Sequence, residues 1–222
     1  MKEVDLPLGT SKKAGAMAHL QDDPKPPVRI AGICGSLQPK STTKMAVSIA
    51  LKGALEYDVS TKLVELRDYE LDFYGKADGE VNSPDVTRLR REIKESHGII
   101  IGSPEYHGSL SGALKNMFDL MSIEEFEGKI VALVGVAGGH IGAINTLNTM
   151  RTIGRNMHCW VLPQDVSVAQ SASTFNEDGT LNDPDIEQRL LDIGRQVVKF
   201  ASLQQKIKQD DFMKLWEGLP TW

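Results

Sequence analysis

What most constrains this chain is a rhythm. Short apolar runs are each followed, after a turn, by a segment whose apolar residues recur every three or four positions. The runs are VRIAGICG from residue 28, STKLVEL at 60–66, HGIIIGSP at 97–104, KIVALVGV from 129 and HCWVLP from 158. Most lack useful polar alternation, as strands covered on both faces do. The intervening segments put Ala46, Ile49, Ala50, Gly53 and Ala54 on one helical face, then Val86, Leu89 and Ile93, then Leu114, Met117, Phe118 and Met121, then Ile144, Leu147 and Met150. Ser83 with Pro84 marks one helix start. Asp183 with Pro184 marks another, whose helix is expected to carry Ile186, Leu190, Ile193, Val197 and Phe200 inward. Five strands alternating with five helices require a parallel sheet with right-handed crossovers and helices on both faces. The common order for five such strands is 2-1-3-4-5. Ligands then bind beyond the carboxyl ends of the strands, where the winding reverses between strands one and three.

The remaining sequence sets boundaries. Residues 1–27 mix charges with Gly9, Gly15 and the Pro24, Pro26, Pro27 cluster, so a flexible N-terminal arm is expected there. The domain is expected over 28–208. A C-terminal tail at 209–222 carries Phe212, Leu215, Trp216 and Trp222, to cover an apolar patch or reach a neighbour. The net charge of −5 argues against nucleic acid and against an anionic membrane as partners, because both call for a concentrated positive surface. Cys34 and Cys159 stand far apart in apolar runs, with no CxxC and no histidine cluster. They read as two buried free thiols, not as metal ligands or a disulfide framework. With no signal-like apolar core and no run long enough for a membrane span, a cytoplasmic location is the expectation.

The loops after strands one and three therefore carry the functional information. The first reads Gly35, Ser36, Leu37, Gln38, Pro39, Lys40, Ser41, Thr42, Thr43: a glycine turn, then hydroxyls and free backbone N–H groups at a helix start. That combination suits a phosphate dianion, although a helix cap alone accounts for Ser41 or Thr42. It is not a nucleoside-triphosphate loop, since the lysine comes one position early and Pro39 replaces the required glycine. AGGHIGA at 137–143 imitates a dinucleotide fingerprint but follows the fourth strand, away from the reversal. The loop after strand three, SPEYHGSLSGALKN from Ser103, ends its strand at Pro104 and Glu105, offers Tyr106 as an aromatic face, and has Gly108 and Gly112 for close approach. Next to a phosphate pocket, it suggests a flat aromatic ligand.

In these two motifs the chain resembles the NADPH-dependent FMN reductase family, which includes azoreductases, quinone reductases and chromate reductases. The first motif is similar to the family's GSxRxxS and the second to its PEY[NH] and following LKN, within a likeness over about 28–202. The resemblance implies a flavodoxin-like three-layer sandwich holding one FMN, with NAD(P)H as hydride donor. It implies that Ser36, Gln38, Ser41 and Thr43 contact the FMN phosphate with Thr42 nearby. Pro104, Glu105, Tyr106 and His107 would line the ribityl chain and ring, and the Gly138, Gly139 turn would meet the ring. Gln38 stands where many members have arginine, removing a positive charge, and His107 where many have asparagine. The implied activity passes hydride through FMN to a small electrophilic acceptor: a flavin, quinone, azo compound or metal oxyanion. No protein acid–base pair is expected, with His107 and His140 as candidate proton donors and Glu105 as a structural hydrogen-bonding residue. A homodimer or homotetramer is also implied. The rival readings are a flavodoxin-type electron carrier, whose T-x-T-G-x-T loop this chain lacks, and a non-enzymatic flavin-binding protein.

Overall fold

The computed structural model describes residues 28–76 and 83–208. The proposed arm at 1–27 and tail at 209–222 lie outside the described residues. A parallel sheet is built from β1 (Val28–Cys34), β2 (Val59–Glu65), β3 (Gly98–Tyr106), β5 (Ile130–Val136) and β6 (Trp160–Val168) in the order β2-β1-β3-β5-β6. The two-residue strand β4 (Ser109–Leu110) pairs antiparallel with β3 off this path. Without that short strand, the order is the expected 2-1-3-4-5, the flavodoxin-like arrangement with its reversal between the first and third strands.

Helices cover both faces. On one face, α1 (Thr42–Ala54) and α6 (Pro184–Lys208) pack over Ile30, Ile100, Ala132 and Val134. On the other face lie α2 (Pro84–Lys94), α3 (Gly112–Leu120) and α4 (Ile144–Asn156), over Ile33, Ile99, Ile101, Val131 and Leu133. A one-turn helix, α5 (Ser171–Thr174), follows β6. The starts read from sequence are made by side chains. Ser83 Oγ accepts from Val86 N at 3.2 Å, and Asp183 Oδ1 accepts from Asp185 N at 3.0 Å and Ile186 N at 3.2 Å. The helix pair α1–α6 approaches closely because Gly53 and Gly194 each face the backbone of the opposing helix. A Cβ on Gly53 would lie 2.1 Å from Leu191 O, and one on Gly194 would lie 1.9 Å from Ala50 O.

Several local expectations are corrected. Phe200 is 39% exposed and Ile144 47% exposed, so neither points into the core as its periodicity suggested. The fifth strand does not stop near Pro163 but runs on through QDVSV, with a register shift between Val131 and Leu133. As an edge strand it tolerates Pro163 and polar residues that a central strand would exclude. Of the two free cysteines, Cys34 is buried but Cys159 only half-buried.

Candidate functional site

The first wall of the site begins where β1 ends. Gly35 N donates to Gly102 O at 2.8 Å, and a Cβ on Gly35 would lie 2.9 Å from Leu114 Cβ, so the chain turns here against β3 without room for a side chain. Ser111 Oγ fastens the turn from the other side. It donates to Gly35 O at 2.6 Å while accepting from Leu114 N at 3.1 Å, which caps α3. Along the loop, Ser36 Oγ accepts from Gln38 N at 3.3 Å, and Ser41 Oγ caps α1 by accepting from Lys44 N at 3.1 Å. Ser41 is thus a helix cap, one of the two roles open to it from sequence. That cap does not use its hydroxyl hydrogen. Ser36, Ser41 and Thr43 are buried, while Gln38 and Lys40 are exposed. Beneath them Cys34 Sγ lies 3.8 Å from both Ser36 O and Ser41 Oγ, and burial raises its thiol pKa.

The second wall is a hairpin, which the sequence presented as a loop. β3 runs on to Tyr106, and Glu105 and Tyr106 pair with Leu110 and Ser109 of β4. The two residues between the strands, His107 at φ 52° and Gly108 at φ 79°, are both left-handed, as a tight two-residue hairpin turn requires. Asparagine tolerates this conformation better than most residues, so the turn accounts physically for an asparagine or histidine at this place. Glu105 Oε2 accepts from Thr146 N at 3.0 Å, in the first turn of α4. That helix has Ala143 at its N-cap and no side-chain cap of its own. The structural role expected for Glu105 is therefore a tertiary cap, favoured further by the helix dipole.

The third wall follows β5. Ala137 N donates to Val168 O at 2.8 Å, and Gly139 O accepts from Gln170 N at 3.1 Å, tying the turn to the start of α5. A Cβ on Gly138 or Gly139 would meet no atom within 4 Å, and neither glycine is left-handed. Neither packing within the described residues nor backbone conformation demands glycine there. The turn is left open to close approach from outside.

These walls enclose one cleft of about 260 Å³ at the carboxyl ends of β1, β3 and β5. It brings together Ser36, Gln38, Ser41, Thr42, Thr43, Pro104, Glu105, Tyr106 and Gly138. His107, at the hairpin tip, and Gly139 are not among its lining residues. Lys40, Val136 and Ser171 line it although sequence reasoning did not select them. Lys40 had a signal, a cation inside the anion loop, obscured by its failure to fit the triphosphate pattern. Ser171 had none, because nothing in the sequence ties it to Gly138. A larger hollow of about 520 Å³ beside Leu71, Ser83 and Pro84 contains no residue of either motif. The donor set suits a phosphorylated ligand: hydroxyls, one lysine, and the Thr42 and Thr43 amides in the first turn of α1. The half-exposed Tyr106 and open Gly138 suit a flat one.

Among known proteins, the family described as NADPH-dependent FMN reductase matches residues 28–173. The NADPH-dependent FMN reductase ArsH of Shigella flexneri is 28% identical over 183 residues, covering 80% of this chain and 70% of that protein. An NADPH azoreductase of a Bacillus species (strain OY1-2) is 31% identical over 148 residues, 67% of this chain and 81% of the relative. Among solved structures, the flavoenzyme NAD(P)H:acceptor oxidoreductase FerB of Paracoccus denitrificans superposes with a TM-score of 0.64 at 21% identity, covering 79% of this chain and 97% of that one.

Proposed function

Because the chain belongs to the NADPH-dependent FMN reductase family, whose members are FMN-dependent oxidoreductases, we propose that the cleft between the 35–43 loop and the β3–β4 hairpin is its FMN site. The single observation that carries this reading is the convergence of both family motifs, with Gly138, on one cleft at the reversal of the sheet. When bound, FMN supplies two-electron chemistry, taking hydride from NAD(P)H and returning it to an acceptor.

The chain's own residues bind and orient. The Thr42 and Thr43 amides and the Ser36, Ser41 and Thr43 hydroxyls hold the phosphate end, with the Gln38 amide as a further donor. Pro104, Glu105 and Tyr106 form the wall along the ribityl chain and ring, and the Gly138 backbone lies open to the ring edge. Glu105 is engaged with α4, so its carboxylate serves to position β3 and not as an acid or base. The acceptor is a small electrophile such as a quinone, azo compound, free flavin or metal oxyanion.

Three further readings belong to this proposal. The domain spans 28–208, the protein acts in the cytoplasm, and it works as a homodimer or homotetramer. Ile141 is 88% exposed and Ile144 47% exposed, on the turn after β5 and the start of α4 beyond it, which supports an interface on that side. No helix among the described residues is long and apolar enough to cross a membrane.

The test is a visible spectrum of purified full-length protein, followed by anaerobic addition of NADPH and of NADH. A flavin band that bleaches directly on addition of nicotinamide supports the reductase. Bleaching in two separate one-electron stages, with no response to nicotinamide, would favour the electron carrier. A colourless protein that gains no thermal stability from FMN would overturn the site altogether.

A further inference from the structure

We propose that Lys40 supplies the positive charge at the phosphate end of the cleft that Gln38 lacks; this rests on the FMN site described above. A phosphate carries close to two negative charges near neutral pH, and backbone amides with neutral hydroxyls offset them only in part. Among the described residues that line the cleft, Lys40 is the one cation, and Glu105 on the opposite wall adds a negative charge.

The neighbouring charges leave Lys40 free for this role. Lys44, one turn into α1, is paired with Glu65 at 2.7 Å, and it lines the adjoining groove but not the cleft. Lys40 itself lies between the cleft and that groove, which also holds Glu177 and Asp178. Among the described residues it forms an ion pair with neither. The Asp178 carboxylate is instead occupied by Thr180, accepting from its N at 3.0 Å and its Oγ1 at 2.6 Å. Pro39, immediately before Lys40, fixes its own φ and removes one N–H from the loop. The loop thus has one backbone donor fewer and a neutral amide at Gln38, and Lys40 stands two positions from it. A lysine contributes as a point charge, without the paired hydrogen bonds of an arginine fork, so its contribution is sensitive to salt.

The experiment measures dissociation constants of FMN and of riboflavin, by quenching of flavin fluorescence, on full-length protein stripped of flavin. Wild type is compared with Lys40→Gln and with the double variant Lys40→Gln/Gln38→Arg, at low and high salt. Lys40→Gln is expected to weaken FMN binding by about tenfold, or about 1.4 kcal/mol, with riboflavin unchanged and the salt dependence of FMN binding reduced. Adding Gln38→Arg is expected to restore most of the lost affinity. The proposal is overturned if Lys40→Gln leaves the FMN-over-riboflavin preference intact, or if it weakens both flavins equally. A wild-type protein with no preference for FMN over riboflavin would instead overturn the placement of the phosphate, and this proposal with it.

Discussion

Glu105 offers the clearest separation of a residue that builds the site from one that acts in it. Its Oε2 accepts from the backbone of Thr146, a residue with no exposed surface, at 3.0 Å. Truncation to alanine leaves that N–H buried without a partner and removes the charge at the start of α4. An orphaned buried donor costs about 1–3 kcal/mol and the loss of a charge at a helix N-terminus about 0.5 kcal/mol, so Glu105→Ala should cost about 2 kcal/mol. Glutamine keeps an acceptor and loses only the charge, at about 0.5 kcal/mol. For a domain of this size those costs lower Tm by about 6 °C and about 1–2 °C. Differential scanning calorimetry of the flavin-free protein reads both shifts. FMN affinity of Glu105→Gln should stay within about threefold of wild type, because the carboxylate is directed at the helix. Equal Tm values for all three proteins, with a flavin affinity that collapses in the glutamine variant, would refute the capping argument and make Glu105 a ligand of the cofactor.

The hairpin makes a parallel prediction. His107→Asn, which suits the left-handed turn, should hold or raise stability by about 0.5 kcal/mol, whereas His107→Val should lower it by about 1–2 kcal/mol in urea unfolding. A large loss of turnover in His107→Asn with stability unchanged would point to a proton-donating role. Gly194→Ala gains about 1 kcal/mol in helix propensity, but its Cβ would lie 1.9 Å from Ala50 O, so α1 and α6 must part. A net loss of about 2 kcal/mol is expected by urea unfolding, and any gain would contradict the close crossing. Stability should also fall at alkaline pH. Burial pushes the Cys159 thiol up to about 12, and burial together with the hydrogen bond to Glu92 raises the Tyr69 hydroxyl further. In both groups the folded state holds the proton more tightly. The stabilisation is complete below the unfolded pKa values, near 8.5 for cysteine and 10 for tyrosine, and is lost as pH rises through the folded ones. Denaturation midpoints across about pH 7–11 check this, and a profile that rises above about pH 9 would sink it.

The order of strands was legible because three of the five runs, β1, β3 and β5, are buried on both faces and so lack alternation, and because the caps Ser83 and Asp183 announce their helices. The pattern failed where burial is incomplete. β6 is an edge strand whose second half alternates polar and apolar residues, so its end was invisible in a search for continuous apolar runs. Phe200 fits the inner stripe of α6 by spacing yet stays exposed near the end of that helix, and Ile144 does the same at the start of α4. Periodicity locates a helical face but not how far along its length the face has a partner. The motif loops were legible as chemistry and not as shape. Nothing in PEYHGSL distinguishes a loop from a hairpin until His107 and Gly108 are seen as two consecutive left-handed residues.

The junction of β1 with that hairpin brings two motifs almost seventy residues apart to one cleft. β1 and β3 are neighbours in register from Ile30 beside Gly98 to Cys34 beside Gly102, so their carboxyl ends finish side by side. The Gly35–Gly102 hydrogen bond and the Ser111 hydroxyl on Gly35 O then lock the first loop to the base of the second. Ser111 is buried and also caps α3, so that lock is built into the packing of the domain and does not wait for a ligand. A cleft whose walls are fixed in advance spares the binding step the cost of ordering them. With FMN in the cleft as proposed, Ser111→Ala is expected to weaken its binding from outside the cleft, through the position of the 35–43 loop and not through any lost contact, which the FMN dissociation constant reads.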